Sequence, residues 1–313
     1  MKLETVWRCS MEFLYLLEKI RFPLLDRLML LITELGAETA FLAVAIVVFW
    51  CVNKRSGYYI LSVGCIGTIA NQVMKLSFRI PRPWVLDPNF TIVEQAREAA
   101  TGYSFPSGHS QSAVGTFGAL ACVTKNKAVR ILAIAAAVLV PISRMYLGVH
   151  TIKDVLVASA MAVVLIFLLK GLVCEKEGKY LPWILGIMTL LVAAYLCFVE
   201  FYTFPADMDA ENLASGVKNA YTFLGSITAL VIVYIVDSKW LHFPVEAVWW
   251  AQIVKVIVGM GLVLGVKSGT KNFLNTLLGE SIGRSARYFL IVIVVGILWP
   301  LTFRWFSKLG SKE

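Results

Sequence analysis

Three short clusters in this sequence hold residue types suited to gripping and cleaving a charged ester. The first is Lys75, then six residues, then Arg82-Pro83. The second is Pro106-Ser107-Gly108-His109. The third is Ser143-Arg144, five residues, His150, three residues and Asp154. Three cations and two histidines brought to one place would bind an anion. The chemistry follows from the spacing. His150 and Asp154 stand four apart, so on a helix they share a face. A carboxylate there fixes the imidazole tautomer and leaves the other nitrogen free to attack. His109 could protonate the leaving alcohol and then deprotonate a water. Pro106-Ser107-Gly108 before a helix aims free backbone N–H groups and the positive helix end at one spot, and Gly108 lets an anion come close. Lys75, Arg82 and Arg144 would meet the charge that grows on non-bridging oxygens.

These residues need elements to position them, and the composition says what those are. The chain has 313 residues, 58% hydrophobic and only 16% charged, with a mean hydropathy of +0.75. A soluble domain carries about 25% charged residues, so the bilayer is the expected solvent. The net charge of +9 does not point to nucleic acid. Its Lys and Arg lie in short clusters between apolar runs, as in cytoplasmic loops, and no basic stripe or nucleic-acid module is present. The cysteines, Cys9, Cys51, Cys65, Cys122, Cys174 and Cys197, form no C-x-x-C pair and read as small hydrophobes. The first 25 residues do not read as a cleavable signal peptide.

The fold class expected is all-α: a polytopic transmembrane bundle of about nine spans. They fall near 30–52, 57–78, 107–123, 128–148, 152–173, 180–201, 214–236, 246–266 and 285–305. Residues 1–29 read as an interfacial segment, with Phe13, Leu16, Leu17 and Ile20 on one helical face. Residues 30–201 form a six-helix core and 202–313 a three-span extension. The span at 107–123 is short, so its start is expected to be recessed in protein. The polar stretch 79–106 is long enough to be functional or disordered. Basic connections with Lys54, Arg55, Lys125, Lys127, Arg130, Lys170, Lys176, Lys179 and Lys239 lie on one side by parity; the loop with Asp207, Asp209 and Glu211 lies on the other. The positive-inside rule makes the first side cytoplasmic. The C-terminus, with Arg304, Lys308 and Lys312, then faces in, and the three clusters face out. Trp84 and Tyr103 read as interfacial anchors, Arg79 and Arg97 as solvated or lipid-facing. Gly261 and Gly265 read as a helix-packing pair within the chain.

The three clusters resemble the three signature motifs of the type 2 phosphatidic acid phosphatase superfamily: K-LSFRIP-RP, PSGH and SR-MYLGV-H-TIK-D. The resemblance covers about 75–154. It implies His150 as nucleophile, Asp154 as its partner and His109 as acid–base. It implies Lys75, Arg82, Ser107, Gly108, Ser143 and Arg144 as phosphate ligands, with no metal and no cofactor. The layout is also similar to glucose-6-phosphatase and sphingosine-1-phosphate phosphatases. The reading is an integral membrane phosphatase of a lipid phosphate: phosphatidate, phosphatidylglycerol phosphate, a polyprenyl diphosphate or a sphingoid-base phosphate. Its partners are that lipid and the bilayer, not nucleic acid; the oligomeric state stays open. Rival readings are a phosphatase of a soluble sugar phosphate, a phosphotransferase, and a silent transporter or scaffold.

Overall fold

The computed structural model describes residues 2–176 and 178–309, with side chains from residue 11 onward. The side chain of Cys9 and all of Lys312 lie outside the described residues. Every regular element among them is helical. In order they are α1 (Lys2–Lys19), α2 (Pro23–Glu34), α3 (Glu38–Cys51), α4 (Lys54–Phe78), the short α5 (Pro83–Leu86), α6 (Gly108–Val123), α7 (Lys127–Tyr146), α8 (Ile152–Leu169), α9 (Leu181–Phe201), α10 (Ala210–Val236), α11 (Trp249–Gly269), α12 (Lys271–Ile293) and α13 (Phe303–Lys308).

Among the described residues, seven helical stretches are long and apolar enough to cross a membrane, or eight if the α2–α3 pair, bent by 48°, counts as one span. The expected count of nine is not reached on length and composition. The missing member is α6, with 16 residues. It is wrapped by protein rather than lipid: Ser110, Gln111, Ala113, Val114, Gly115, Thr116, Phe117 and Ala119 are all buried. A helix enclosed in this way has its polar groups served by neighbours and need not match the bilayer thickness.

The chain divides into two compact units. The first comprises the chain up to Ala43, Val63–Gly171 and Met208–Ser215. Here α6 packs on α7 and α8, and α2 packs on α7. Close approach of α4 to α6 relies on Gly67, where a Cβ would sit 2.0 Å from Gln111 Nε2. The polar stretch 79–106 is anchored, not disordered. Val93, Ala96 and Ala100 pack with Tyr146, Leu147 and Val149, and Phe90 and Ile92 pack with Met11 and Leu14 of α1. Polar ties reinforce this: Tyr15 donates to Asp87 at 2.9 Å, and Arg21 donates to the carbonyls of Thr91 at 2.7 Å and Tyr146 at 2.9 Å. The face of α1 that packs here is set by Met11 and Leu14, while Leu16 and Ile20 are exposed. Trp84 packs into both clusters. Arg97 pairs with Glu94 at 2.7 Å on the exposed side.

The second unit comprises Val44–Ser62, Leu172–Asp207 and the chain from Gly216 onward. Its centre is aromatic. Phe303 meets Trp50, Phe243, Trp299 and Phe306 edge-on. Lys255 is fully buried there, donating to the Trp50 carbonyl at 2.9 Å and the Val245 carbonyl at 3.2 Å. The expected packing of Gly261 and Gly265 within the chain is absent: nothing lies within 4 Å of a Cβ built at either. Their face of α11 is open among the described residues, so the small-residue spacing does not bring a neighbouring helix in.

Candidate active site

All nine residues expected to act on the substrate belong to the first unit. Lys75 is in the last turn of α4, and Arg82 is the cap residue before Pro83 of α5. Ser107 caps α6, which Gly108 and His109 open. Ser143 and Arg144 close α7, Asp154 is in the first turn of α8, and His150 lies in the connection between those two helices. Gly148 makes that connection possible with φ +80°, in the left-handed region that glycine adopts without strain. Except for Gly108 and His109, which are half-buried, all these side chains are buried.

His150 is held from two sides. Arg82 Nη1 lies 2.8 Å from His150 Nε2, and Asp154 Oδ2 lies 3.5 Å from His150 Nδ1. A guanidinium only donates. Nε2 is therefore the acceptor, and the ring proton sits on Nδ1, facing the carboxylate. Burial, then the charges of Arg82, Arg144, Lys75 and His109, hold the imidazole well below its ordinary titration range. The histidine is thus neutral, with a lone pair on the nitrogen that faces Arg82.

The carboxylate is itself fixed. Asp154 Oδ2 accepts from Ser104 Oγ at 2.6 Å and from the Thr151 N–H at 2.8 Å. The Asp154 carbonyl accepts the Ser107 N–H at 3.0 Å. That N–H, expected to point at the anion, instead ties α6 to α8. The amides left at the start of α6 are those of Gly108 and His109, whose position denies them an intrahelical acceptor. Ser107 Oγ accepts from the Ser110 hydroxyl at 2.9 Å, and Ser143 Oγ donates to the Val140 carbonyl at 2.7 Å. The Ser143 hydroxyl therefore points back along its own helix in this structure.

The three cations differ in state. Lys75 Nζ donates to the Tyr103 carbonyl at 2.5 Å. Arg82 is braced by the carbonyls of Thr101 at 2.7 Å, Gly102 at 3.0 Å and Val149 at 3.0 Å. Arg144 is completely buried, yet among its donors only Nη1 is bonded, to Thr33 Oγ1 at 2.8 Å; Nε and Nη2 have no partner. A buried guanidinium with two unmatched donors costs several kcal/mol unless an anion completes it.

Sequence reasoning missed four members of this frame. Ser104 lies two residues before Pro106, and Asn71 lies one helical turn before Lys75, donating to the Pro106 carbonyl at 3.4 Å. Tyr103 acts through its carbonyl and is buried, so it is no interfacial anchor. Thr33 carries no sequence signal at all. Asn71, a polar residue inside an apolar helix, was the one that could have been found.

Residues 54–176 match the PAP2 superfamily, and residues 221–312 match the PAP2 superfamily phosphatase transmembrane extension. Phosphatidylglycerophosphatase B of Bacillus subtilis (strain 168) is 33% identical over 168 residues, which span 49% of this chain and 77% of that protein. The chain belongs to the PAP2 superfamily. It is a multi-pass membrane member of that phosphatase family, and thus a phosphoric ester hydrolase. Two further relatives of this PAP2 protein are undecaprenyl-diphosphatases. BcrC of Bacillus subtilis (strain 168) is 28% identical over 46% of this chain and 72% of its own length. The Sulfolobus acidocaldarius protein is 28% identical over 47% of this chain and 70% of its own. A solved structure, a transmembrane PAP2 type phosphatidylglycerolphosphate phosphatase from Bacillus subtilis, is 32% identical, with a TM-score of 0.48 over 56% of this chain and 89% of that chain.

Proposed function

We propose that this PAP2 protein hydrolyses the phosphate ester or diphosphate of a membrane lipid through a phosphohistidine on His150. The observation that carries the reading is the pairing of a neutral, oriented His150 with the two unmatched donors of buried Arg144. The relatives' names point to lipid substrates, phosphatidylglycerol phosphate and undecaprenyl diphosphate. Either fits a site framed by helix ends of a membrane bundle.

The steps follow from the geometry. Phosphate enters against Arg144, the Gly108 and His109 amides, and Lys75, with Ser107 and Ser143 lining the cradle. Arg82 Nη1 leaves Nε2 for a phosphate oxygen. Nε2 then attacks phosphorus and the P–O bond to the lipid breaks; His109, protonated once the charge of the bound phosphate offsets the three cations, gives that proton to the departing oxygen. The Nδ1 proton stays on the ring, and Asp154 balances the positive charge that forms. In the second half His109 takes a proton from water, the resulting hydroxide attacks phosphorus, and the P–N bond breaks to free His150 and inorganic phosphate. No metal or cofactor takes part in these steps. The site is on the extracytoplasmic face, residues 30–201 are the catalytic core, and 202–313 are an extension.

The test is phosphate release by purified protein in detergent, without added metal, from a panel of lipid and soluble phosphates. One lipid class should turn over far above sugar phosphates, and His150→Ala should be inactive. Cleavage of sugar phosphates alone would overturn the lipid assignment while leaving the chemistry intact. An active His150→Ala would overturn the mechanism.

A further inference from the structure

The second unit holds buried polar groups of its own. Lys255 is satisfied by two carbonyls and by the Phe303 ring 4.1 Å away, so it is structural. A different case is a cleft of about 180 Å³ whose lining includes Lys54, Arg55, Tyr58, Gly178, Leu181 and Asp237. Tyr58 is 3% exposed, and its hydroxyl has no hydrogen-bond partner. A buried hydroxyl left in that state is costly, and an acceptor bound in the cleft would relieve that cost.

The charge of that acceptor follows from the neighbours. Asp237 is already consumed. Both its oxygens take Lys54 Nζ at 2.8 Å, and Oδ1 also takes the Phe243 N–H at 3.2 Å. Lys54 is fixed further by the Phe243 ring 3.7 Å away. Arg55 is the exposed cation at the rim, packed against the Gly178 turn. Lys54 opens α4 and Leu181 opens α9, so two positive helix ends face the same space. A planar guanidinium and a phenol beside two helix N-termini suit a tetrahedral oxyanion. Helix ends also lie at the level where lipid headgroups sit.

We propose that this cleft binds a phosphate group, held by the Arg55 guanidinium and the Tyr58 hydroxyl. The group comes either from the headgroup of an anionic phospholipid or from free phosphate. The site is independent of the catalytic reading, since none of its residues belongs to the catalytic frame.

The experiment uses the full chain in neutral detergent and measures retained ligand by native mass spectrometry. The probes are short-chain phosphatidylglycerol and inorganic phosphate, with uncharged diacylglycerol as control. Arg55→Ala and the isosteric Tyr58→Phe should each lower retention by about 5-fold, while hydrolysis of p-nitrophenyl phosphate is unchanged. Loss of phosphatidylglycerol alone assigns the site to a lipid headgroup, and loss of inorganic phosphate alone assigns it to the free anion. Wild-type retention of both probes by Tyr58→Phe overturns the inference, whatever the fate of Arg55→Ala.

Discussion

Arg82 and Arg144 come from the first and third motifs and do unlike jobs, and the difference can be measured. Arg82 is braced by three carbonyls and touches His150 Nε2. Arg144 keeps two buried donors unmatched. Arg144→Ala should therefore lower kcat/KM by about 10²–10³, the cost typical of losing a donor to transition-state charge. Arg144→Lys should rescue little, because a point charge cannot reproduce the fork. Steady-state kinetics on purified variants would show this. Ser104 is a positioning residue, reaching the chemistry only through Asp154. Ser104→Ala removes a hydrogen bond to a charged group, worth about 1.5–3 kcal/mol. Its kcat should fall by about 10- to 100-fold with KM little changed, and Ser104→Thr should restore most of it. An equal loss in the Thr variant would mean that the site needs the exact side-chain volume, not the hydroxyl. The field on His150 makes a third prediction. A histidine whose titration is pushed down stays unprotonated below its ordinary value of about 6.5. The acidic limb that the nucleophile sets in the pH profile of kcat/KM should thus lie below that pH. The candidate site residues could be picked out of the sequence because their spacing is local. Ser104, Tyr103 and Thr33 were not, because each acts on a residue brought to it only by the fold.

At the scale of elements, the N-terminal helices belong to the catalytic frame. Thr33 at the end of α2 holds Arg144, Asp26 accepts from the Tyr146 hydroxyl at 2.7 Å, and Arg21 grips the Tyr146 carbonyl. The residue pattern of α1 marks an amphipathic face without saying what that face meets. Stretch 87–92 packs on Met11 and Leu14, while Leu16 and Ile20 of the expected interfacial face stay exposed. The same folding-in explains why 79–106 is ordered despite its polar composition. Thr33→Val keeps the shape of α2 and leaves a third Arg144 donor unpartnered. It should reduce kcat/KM by about 10-fold while the helical circular dichroism stays unchanged. Gly148→Ala is a backbone test. A Cβ there would meet Arg21 Nη2 at 2.8 Å and Phe90 at 3.0 Å, at φ +80°. The left-handed conformation alone costs about 1–2 kcal/mol, so this variant should show a lower melting temperature together with reduced activity.

Over the whole molecule, the apolar composition was enough to read an all-helical membrane protein. It was not enough to count the spans. Hydropathy sees length and polarity, whereas α6 is short because protein surrounds it, and α2–α3 are bent at the Gly36 break, which an averaged window smooths over. The lysine and arginine clusters gave an orientation that accessibility can test. In a cysteine-free background, Glu98→Cys in the exposed part of the 79–106 stretch should react with an impermeant maleimide applied to the extracytoplasmic side of intact cells. Lys179→Cys should react only after the membrane is opened. The reverse pattern would put the catalytic face in the cytoplasm.

The covalent intermediate on His150 can be trapped by quenching the enzyme during turnover. Purified protein is mixed with a substrate carrying labelled phosphate, stopped in denaturant at alkaline pH, and its bound label is followed after acid treatment. The protein should carry label that survives base, is released by acid, maps to the peptide containing His150 and is absent from His150→Ala. Turnover by the wild type with no protein-bound label at any quench time, or label on another residue, would contradict it.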